Sequence, residues 1–133
     1  MTLHTYKSKI IRVVDGDTVD LNIDLGFNIW TQQRIRLLAV DSPERKLEGF
    51  EESTQFTRRW FWRYSDADIY LETKKKDSFG RWLGYITCED DCLNLSLYNF
   101  LLDNNYLPEE CSAQEIMSIF MTKDSGGGEN TLS

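Results

Sequence analysis

Apolar and polar residues alternate along the first third of the chain, and this alternation predicts β-strands. The clearest run is V-D-L-N-I-D-L at residues 19–25, in which every second residue is apolar, as in a strand with one buried face. Residues 6–14 and 34–40 are two further apolar-rich runs, and a turn at residues 26–28 separates the second run from the third. The pattern therefore predicts a meander of three antiparallel strands.

After the third strand the apolar period changes to four, which predicts helices. Phe56, Trp60 and Tyr64 recur at steps of four residues and so share one face of a first helix. The aromatic run W-F-W inside this helix is interpreted as core and helix packing rather than as a surface that stacks on bases. Residues 93–102 and 112–122 are predicted to form a second and a third helix.

Two more strands are predicted, at residues 69–73 and 82–88. Five strands with one helix between the third and the fourth is the element order of an OB-type barrel. We therefore predict an α+β fold that is mainly β, a five-stranded OB-fold barrel with three α-helices. Residues 1–123 are expected to form a single domain, and residues 124–133, which contain G-G-G, a disordered tail.

The size and composition of the chain fit one globular domain. Its 133 residues are 41% hydrophobic, which is enough to bury a core. The sequence contains no run of about 18 apolar residues, as a spanning helix would need, and no apolar segment of the signal-peptide type at its start. We expect a soluble, cytoplasmic monomer without a membrane partner, with a phage or plasmid origin as one option.

The net charge of −7 argues at first against a nucleic-acid partner, because phosphate binding normally needs a basic surface. The charge is unevenly distributed, however. Residues 1–87 hold 14 Lys and Arg against 13 Asp and Glu, a balance of +1, and residues 88–133 hold 1 against 9, a balance of −8. The acidity thus belongs to the C-terminal third. The K-K-K run at residues 74–76 fits a solvated turn at least as well as a phosphate contact.

The few histidines and cysteines exclude several kinds of catalytic site. His4 is the single histidine and is expected in an N-terminal tail, so Ser-His-Asp or Cys-His chemistry would have to depend on it. Three cysteines imply no complete disulfide framework, and a tetrahedral zinc site would lack a fourth ligand. A catalyst here must work with carboxylates and arginines, with or without a metal.

Two aspartates far apart in sequence are predicted to meet at one end of the sheet. Asp17 lies at the entry to the second strand and Asp41 directly after the third, and neighbouring antiparallel strands bring these ends together. Paired carboxylates repel unless a cation lies between them, and hard oxygen ligands suit Ca²⁺ or Mg²⁺. Taken alone, D-G-D is more often only a turn. Asp15 is expected to shape that turn, and Asp20 to face solvent.

Three further charged residues could carry chemistry at the same end. Glu44 lies three positions past Asp41, beyond a stiffening proline, and could act as a general base on water; an exposed loop acid is the plainer alternative. Arg36 lies within a strand and Arg81 just before one. Guanidinium groups match pairs of phosphate oxygens and stabilise a developing dianion. The alternative is that both arginines only neutralise the aspartates.

Three segments in this order and spacing, V-V-D-G-D-T-V, R-L-L-A-V-D-S-P-E and D-S-F-G-R-W-L-G-Y-I, resemble the staphylococcal nuclease (thermonuclease) family. Q-F-T-R-R and L-N-x-x-L also match, and the resemblance covers about residues 6–107. It implies an OB-fold barrel and a Ca²⁺-dependent hydrolase that cleaves phosphodiester bonds of DNA and RNA. The 5′ oxygen would be the leaving group, giving 3′-phosphate products.

The resemblance also implies a role for each matching position. The implied calcium ligands are Asp17, Asp41 and the backbone carbonyl of Ser42. The implied catalytic residues are Arg36, Glu44 and Arg81, with Glu44 as the general base and the two arginines on the phosphate.

Two departures from the family pattern concern the implied metal site and substrate binding. Ser42 stands where Thr is usual, and Ser78 and Phe79 replace a Lys-Tyr pair. Phe79 can still stack beneath a base but cannot donate a hydrogen bond to a phosphate. The predicted substrate-binding residues are accordingly Phe79, Arg36 and Arg81.

The competing hypothesis is a catalytically inert OB-fold module of the same type that binds nucleic acid or protein. The overall acidity is its best support, because it should weaken DNA binding at physiological salt. The presence of all five functional side chains favours the nuclease, since a barrel kept for its shape alone would not need them.

Overall fold

The computed structural model describes residues 4–76 and 80–107, without the side chains of residues 74–76. Within these residues the chain forms six strands and two helices. The strands are β1 His4–Asp15, β2 Thr18–Asp24, β3 Trp30–Leu37, β4 Ile69–Lys76, β5 Trp82–Cys88 and the two-residue β6 Asp91–Cys92. The helices are α1 Phe50–Arg63 and α2 Leu93–Asp103. Neither of these two helices is long and apolar enough to cross a membrane.

Five of the strands close into a barrel. β1 pairs antiparallel with both β2 and β4, β2 pairs with β3, and β4 pairs with β5. A parallel pairing of β3 with β5, in which Arg36 lies opposite Leu83, joins the two remaining edges. Closure of this kind leaves none of the five strands with an unpaired edge. The five-stranded barrel that the element order predicted is confirmed.

β3 differs from the predicted run at residues 34–40 at both ends, and it already begins at Trp30. β3 ends at Leu37, earlier than predicted, because the chain then turns and the N–H of Leu38 donates to the carbonyl of Gly84 at 3.0 Å. The third helix predicted over residues 112–122 and the tail predicted over residues 124–133 both lie outside the described residues. The structure therefore shows two helices, and three are not shown.

Apolar side chains from the strands fill the barrel, and the helices cover one end of it. The largest fully buried side chains are Val19, Leu21, Ile35, Leu37, Val40, Trp60, Leu71, Ile86, Leu93, Leu97 and Leu101. Each aliphatic side chain of this kind stabilises the fold by about 1.5–3 kcal/mol. Trp60 and Phe61 lie in the core as predicted, but the prediction was wrong for Trp62, whose residue surface is 80% exposed.

Asp91 holds α1 against the end of the barrel. Its carboxylate accepts hydrogen bonds from the indole of Trp60 at 3.0 Å, the hydroxyl of Tyr64 at 2.7 Å and the hydroxyl of Ser96 at 2.7 Å. Burial alone would raise the pKa of Asp91. The hydrogen bonds outweigh burial, with the bond from Tyr64 contributing most, and hold the pKa below its usual value. The carboxylate thus fixes the position of α1, whose N-terminal half reaches the β1–β2 turn.

Asn94 joins α2 to β5 and to the chain after β3. The residue is fully buried, and its side-chain amide donates to the carbonyls of Leu38 at 2.9 Å and Gly84 at 3.1 Å. Its side-chain oxygen accepts from the N–H of Ile86 at 3.1 Å. Because its donors and its acceptor are all hydrogen-bonded, this buried amide favours one arrangement of α2, β5 and the chain after β3. Asn94 therefore sets the path of the chain that leads to Asp41.

Replacing Asn94 by Leu is expected to lower the free energy of unfolding by about 2–4 kcal/mol, because buried backbone groups would lose their partners. Urea unfolding followed by tryptophan fluorescence measures the change. Asn99→Leu is the matched control, since Asn99 is exposed on the same helix and should change stability by about 0.5 kcal/mol at most. Equal effects of the two substitutions would contradict the bridging role of Asn94.

Candidate active site

A cavity of about 700 Å³ opens at the end of the barrel where β1 turns into β2. Its wall is formed by that turn, the end of β3 with the loop that follows, the residue before β5 and the chain after α2. The charged residues of the wall are Asp15, Asp17, Arg36, Asp41, Glu44, Glu48 and Arg81. Five carboxylates thus face two guanidinium groups, which leaves a formal charge of −3 if all are ionised.

The D-G-D turn, residues 15–17, is held in position by contacts with α1. The hydroxyl of Thr57, a fully buried residue, donates to the carbonyl of Gly16 at 2.7 Å. A Cβ atom at Gly16 would lie 2.8 Å from the Cβ of Ser53 and 2.9 Å from the Cβ of Ser42, closer than packed carbon atoms approach. The glycine therefore lets the turn lie directly on α1 and on the loop after β3. This contact determines where Asp17 is held.

Asp17 is a buried and fully engaged carboxylate. Its oxygens accept hydrogen bonds from the backbone N–H of Ser42 at 3.0 Å and from the hydroxyl of Thr18 at 2.9 Å. Burial would raise the pKa of Asp17, but the charge of Arg36, a hydrogen bond with Asp15 and these two hydrogen bonds outweigh burial and lower it. Asp17 is thus ionised at neutral pH and ties the β1–β2 turn to the loop after β3.

Arg36 lies between the two aspartates that the sequence predicted to meet. Its guanidinium forms an ion pair with Asp17, at 3.5 Å, and a second one with Asp41. It also donates to the carbonyls of Leu37 and Val40, each at 2.6 Å. One arginine from β3 therefore connects both carboxylates and closes the turn between them.

Glu44 and Arg81 complete the charged wall from two different loops. Glu44 is exposed to solvent one residue after Pro43, which is buried. Arg81 is half-buried and follows Gly80, whose φ of +82° is a left-handed conformation that favours glycine. The glycine turns the chain into β5 and brings Arg81 to the cavity. The two side chains face the same space as Arg36 and the aspartates.

Asp15 is a member of this wall that the sequence did not single out for chemistry. Burial, together with the hydrogen bond and the negative charge of Asp17, raises the pKa of Asp15 to about 6. The carboxylate also accepts the backbone N–H of Asp17 at 3.3 Å, so it shapes the turn as expected. Its raised pKa is therefore caused by burial first and by the neighbouring Asp17 second.

The chain after α2 forms the far side of the cavity. Tyr106 lines it, and its N–H donates to the carbonyl of Leu101 at 2.8 Å, which ends the helix. The ring of Tyr106 lies on Gly49, where a Cβ atom would approach the ring to 2.5 Å. Glycine at the N-cap of α1 therefore allows the chain after α2 to pack on the loop that carries Glu44. Neither Tyr106 nor Glu48 was predicted, since nothing in the local sequence marks either as part of a site.

Six of the seven predicted site residues line the same cavity. The structure brings together Asp17, Arg36, Asp41, Ser42, Glu44 and Arg81 at one cavity; their roles stay predictions. Phe79 lies outside the described residues, as does Ser78. Asp20 lies on the outer face of β2, as the alternation predicted, and its carboxylate pairs there with Arg12 and Arg34, each with a nitrogen at 2.8 Å.

The residues of the wall fit a calcium ion by their chemistry and charge. The candidate ligands offer only oxygen atoms, which Ca²⁺ prefers, and the formal surplus of −3 favours a divalent cation. The carboxylates do not form a ready-made cluster, however. Among the described residues no three acidic, histidine or cysteine side chains are grouped as metal ligands, and Arg36 pairs with both Asp17 and Asp41. A cation would have to share these two aspartates with the arginine.

The chain is similar to proteins from bacteria and archaea. An uncharacterised protein of Bacillus anthracis is 27% identical over 128 residues, which covers 85% of this chain and 58% of that protein. An uncharacterised protein of Methanocaldococcus jannaschii is 26% identical, over 96% of this chain and 70% of its own length. No protein-family model matches the chain.

Thermonucleases are also among the similar proteins. The thermonuclease of Staphylococcus hyicus is 32% identical over 97 residues, which covers 67% of this chain and 53% of the thermonuclease. The chain thus spans little more than half the length of the Bacillus protein and of the thermonuclease. The distant similarity and the closed five-stranded barrel together fit a thermonuclease-like fold.

Proposed function

We propose that the chain is a calcium-dependent nuclease of the thermonuclease family that hydrolyses phosphodiester bonds of DNA, RNA or both. The observation that carries the proposal is the joint presence of Asp17, Asp41, Glu44, Arg36 and Arg81 at one cavity of the barrel. These side chains come from three separate segments of the chain: the β1–β2 turn, the end of β3 with the loop that follows, and the residue before β5. A barrel kept for its shape alone would have no reason to collect them.

Glu44 is the proposed general base. Its carboxylate is exposed at the cavity, where a water molecule can reach it. It would remove a proton from that water as the oxygen attacks phosphorus, a contribution of about 10²–10⁴ in rate. The 5′ oxygen would leave, so that the products carry a 3′-phosphate.

The two arginines are the proposed phosphate ligands. Arg36 already contacts two carboxylates and two carbonyls, so its guanidinium is held in place before substrate arrives. Arg81 would approach the phosphate from the opposite loop. Positive charge that is fixed in advance stabilises the extra negative charge of the transition state.

The proposed calcium ligands are Asp17, Asp41 and the backbone carbonyl of Ser42. When bound, the ion would supply Lewis-acid polarisation of the phosphoryl oxygens and neutralise negative charge. Support for a cation comes from the oxygen-only donors and the surplus of carboxylates at the wall. Arg36 would then have to keep its contact with Val40 and Leu37 while giving up part of its hold on Asp41.

The second candidate is an inert module that binds nucleic acid or protein. One observation favours it: Arg36 is engaged by both aspartates, which is the arrangement of a structural ion-pair network. Such a module would be expected to bind without cleaving.

A calcium titration with supercoiled plasmid separates the two candidates. The nuclease should convert the plasmid to linear and shorter fragments only when Ca²⁺ is present, and EDTA should stop the reaction. End-group analysis should find 3′-phosphate termini, and parallel assays on single-stranded DNA and RNA give the substrate preference. Intact plasmid at every calcium concentration, with the protein folded, would support the inert module.

A further inference from the structure

The exposed face of α1 carries an aromatic ring among arginines, away from the cavity. Trp62 is 80% exposed, and Arg58, Arg59 and Arg63 are exposed beside it. Arg58 and Arg59 precede Trp62 by four and three residues, so all three share one side of the helix. No acidic residue occurs between residues 53 and 65. This basic aromatic face, Arg58, Arg59, Trp62 and Arg63, is positive on a chain whose net charge is −7.

A contribution to helix stability explains the position of only one of the three arginines on this face. Arg63 is the one basic residue in the last turn of α1, where positive charge complements the helix dipole. Arg58 and Arg59 lie further from that end. Within the described residues neither forms an ion pair with a carboxylate, since the pairs there involve Lys7, Arg12, Arg34 and Arg36.

The indole ring of Trp62 is largely exposed and forms no ring–ring or cation–π contact with the described part of the chain. The cation–π contacts found there join Lys9 to Trp30 and Arg45 to Phe50, and the ring contacts of α1 involve Phe56, Trp60, Phe61 and Tyr64. A single exposed apolar side chain would need no explanation. A large ring beside two arginines, Arg58 and Arg59, that form no ion pair with the described residues is a different case, because both parts suit the same ligand.

We propose that the basic aromatic face binds single-stranded nucleic acid outside the cleavage cavity, with Trp62 stacking on a base and Arg58 and Arg59 contacting phosphates. Aromatic rings bind unpaired bases of any sequence, and arginines pair with the adjoining backbone. Duplex DNA keeps its bases stacked and would offer only phosphates. An acidic peptide could pair with the arginines but would leave the ring unused. The inference rests on the proposed function for its choice of partner.

The basic aromatic face lies close enough to the cavity for one nucleic-acid strand to contact both. α1 begins at Phe50, beside the cavity residue Glu48, and Trp62 lies 12 positions further along the helix. At 1.5 Å per residue this is about 18 Å. A strand of several nucleotides could therefore reach from the cavity to Trp62. Contact at a distance would hold a long strand while a bond near the cavity is cut, and would not help a dinucleotide.

The test measures binding without cleavage. Fluorescence anisotropy of a labelled 20-nucleotide single-stranded DNA is recorded with wild type, Trp62→Ala, Trp62→Phe and the double variant Arg58→Gln/Arg59→Gln, all in EDTA. Trp62→Ala should weaken binding about tenfold, and Trp62→Phe should restore most of it. The double variant should reduce the slope of log K against log salt by about 0.7 for each phosphate that the arginines no longer neutralise.

Two matched controls exclude general effects of charge and surface hydrophobicity. Arg12→Gln/Arg34→Gln makes the same change in net charge at arginines that pair with Asp20. Phe27→Ala removes a ring that is almost fully exposed at the β2–β3 turn. Both controls should leave binding within about twofold of wild type.

The proposal is overturned if Trp62→Ala and the Arg58/Arg59 variant bind the oligonucleotide as wild type does, or no more weakly than the controls. It is also overturned if wild type binds a poly-glutamate peptide and not the oligonucleotide. Because the readout is affinity in EDTA, weaker binding by the Trp62 variant would support the proposal even if the plasmid assay found no cleavage.

Discussion

Replacing Glu44 by Gln is expected to lower turnover of single-stranded DNA by about 10²–10⁴-fold and to leave the fold unchanged. The amide has nearly the same shape but cannot accept a proton from water. Glu44 is exposed and lies in a loop, so its substitution should shift the free energy of unfolding by about 0.5 kcal/mol at most. Initial rates in saturating Ca²⁺ and thermal unfolding of the same preparations measure both quantities.

The cavity supplies a matched control for this prediction. Glu48 is also exposed on the cavity wall, so Glu48→Gln makes the same change of charge nearby and should retain nearly full activity. Arg81→Ala should lower turnover by about 10²–10³-fold, as removal of one fixed donor to a developing negative charge does. Normal turnover in both Glu44→Gln and Arg81→Ala would remove the assigned site, whereas equal losses in Glu44→Gln and Glu48→Gln would indicate a general charge effect.

The strands were predictable because each has one buried face. Alternation at residues 19–24 correctly predicts which side chains of β2 are buried, whereas Leu25 follows the end of the strand and is exposed. β5 has the predicted bounds, residues 82–88. The end of β3 could not be read in the same way, because Leu38 and Val40 remain buried after the strand has ended. Their burial comes from the turn that leads to Asp41, so an apolar run alone could not separate strand from turn.

The charged residues of the site were predictable from their types, but their pairing was not. Acids and arginines at the ends of adjacent strands indicate a common location, yet the sequence does not say that Arg36 would contact both Asp17 and Asp41. The same limit holds at Asp20, where alternation correctly predicts an outward side chain but does not indicate that Arg12 and Arg34 both pair with it. Side chains that cross between strands depend on register, which the sequence leaves open.

The exposure of Trp62 could have been predicted from the helical period. Successive residues of a helix are about 100° apart, so Trp60 and Trp62 cannot lie on the same face. An interpretation of W-F-W as one aromatic unit ignores this difference in direction. In contrast, the roles of Gly16, Thr57 and Asn94 depend on contacts between distant segments and carry no local signal.

Replacing Arg36 by Ala is expected to reduce both activity and stability, unlike Arg81→Ala. Loss of a phosphate ligand should lower turnover by about 10²–10³-fold. Removal of the guanidinium also leaves the Asp17 side chain, only 12% exposed, as a buried charge without its ion-pair partner, which should lower the free energy of unfolding by about 3 kcal/mol. Urea unfolding in EDTA and initial rates in Ca²⁺ measure the two effects separately.

The double variant Arg36→Ala/Asp17→Asn tests the cause of the instability. If the buried charge is responsible, neutralising Asp17 should recover part of the stability, and turnover should stay low.

Ca²⁺ should also raise the melting temperature of Arg36→Ala more than that of wild type, because a divalent ion could then bridge Asp17 and Asp41 and binding to the folded state stabilises it. Arg34→Ala removes an exposed partner of Asp20 and serves as the control, with a cost of about 1 kcal/mol or less. Full stability of Arg36→Ala in EDTA would contradict the bridging role of this arginine.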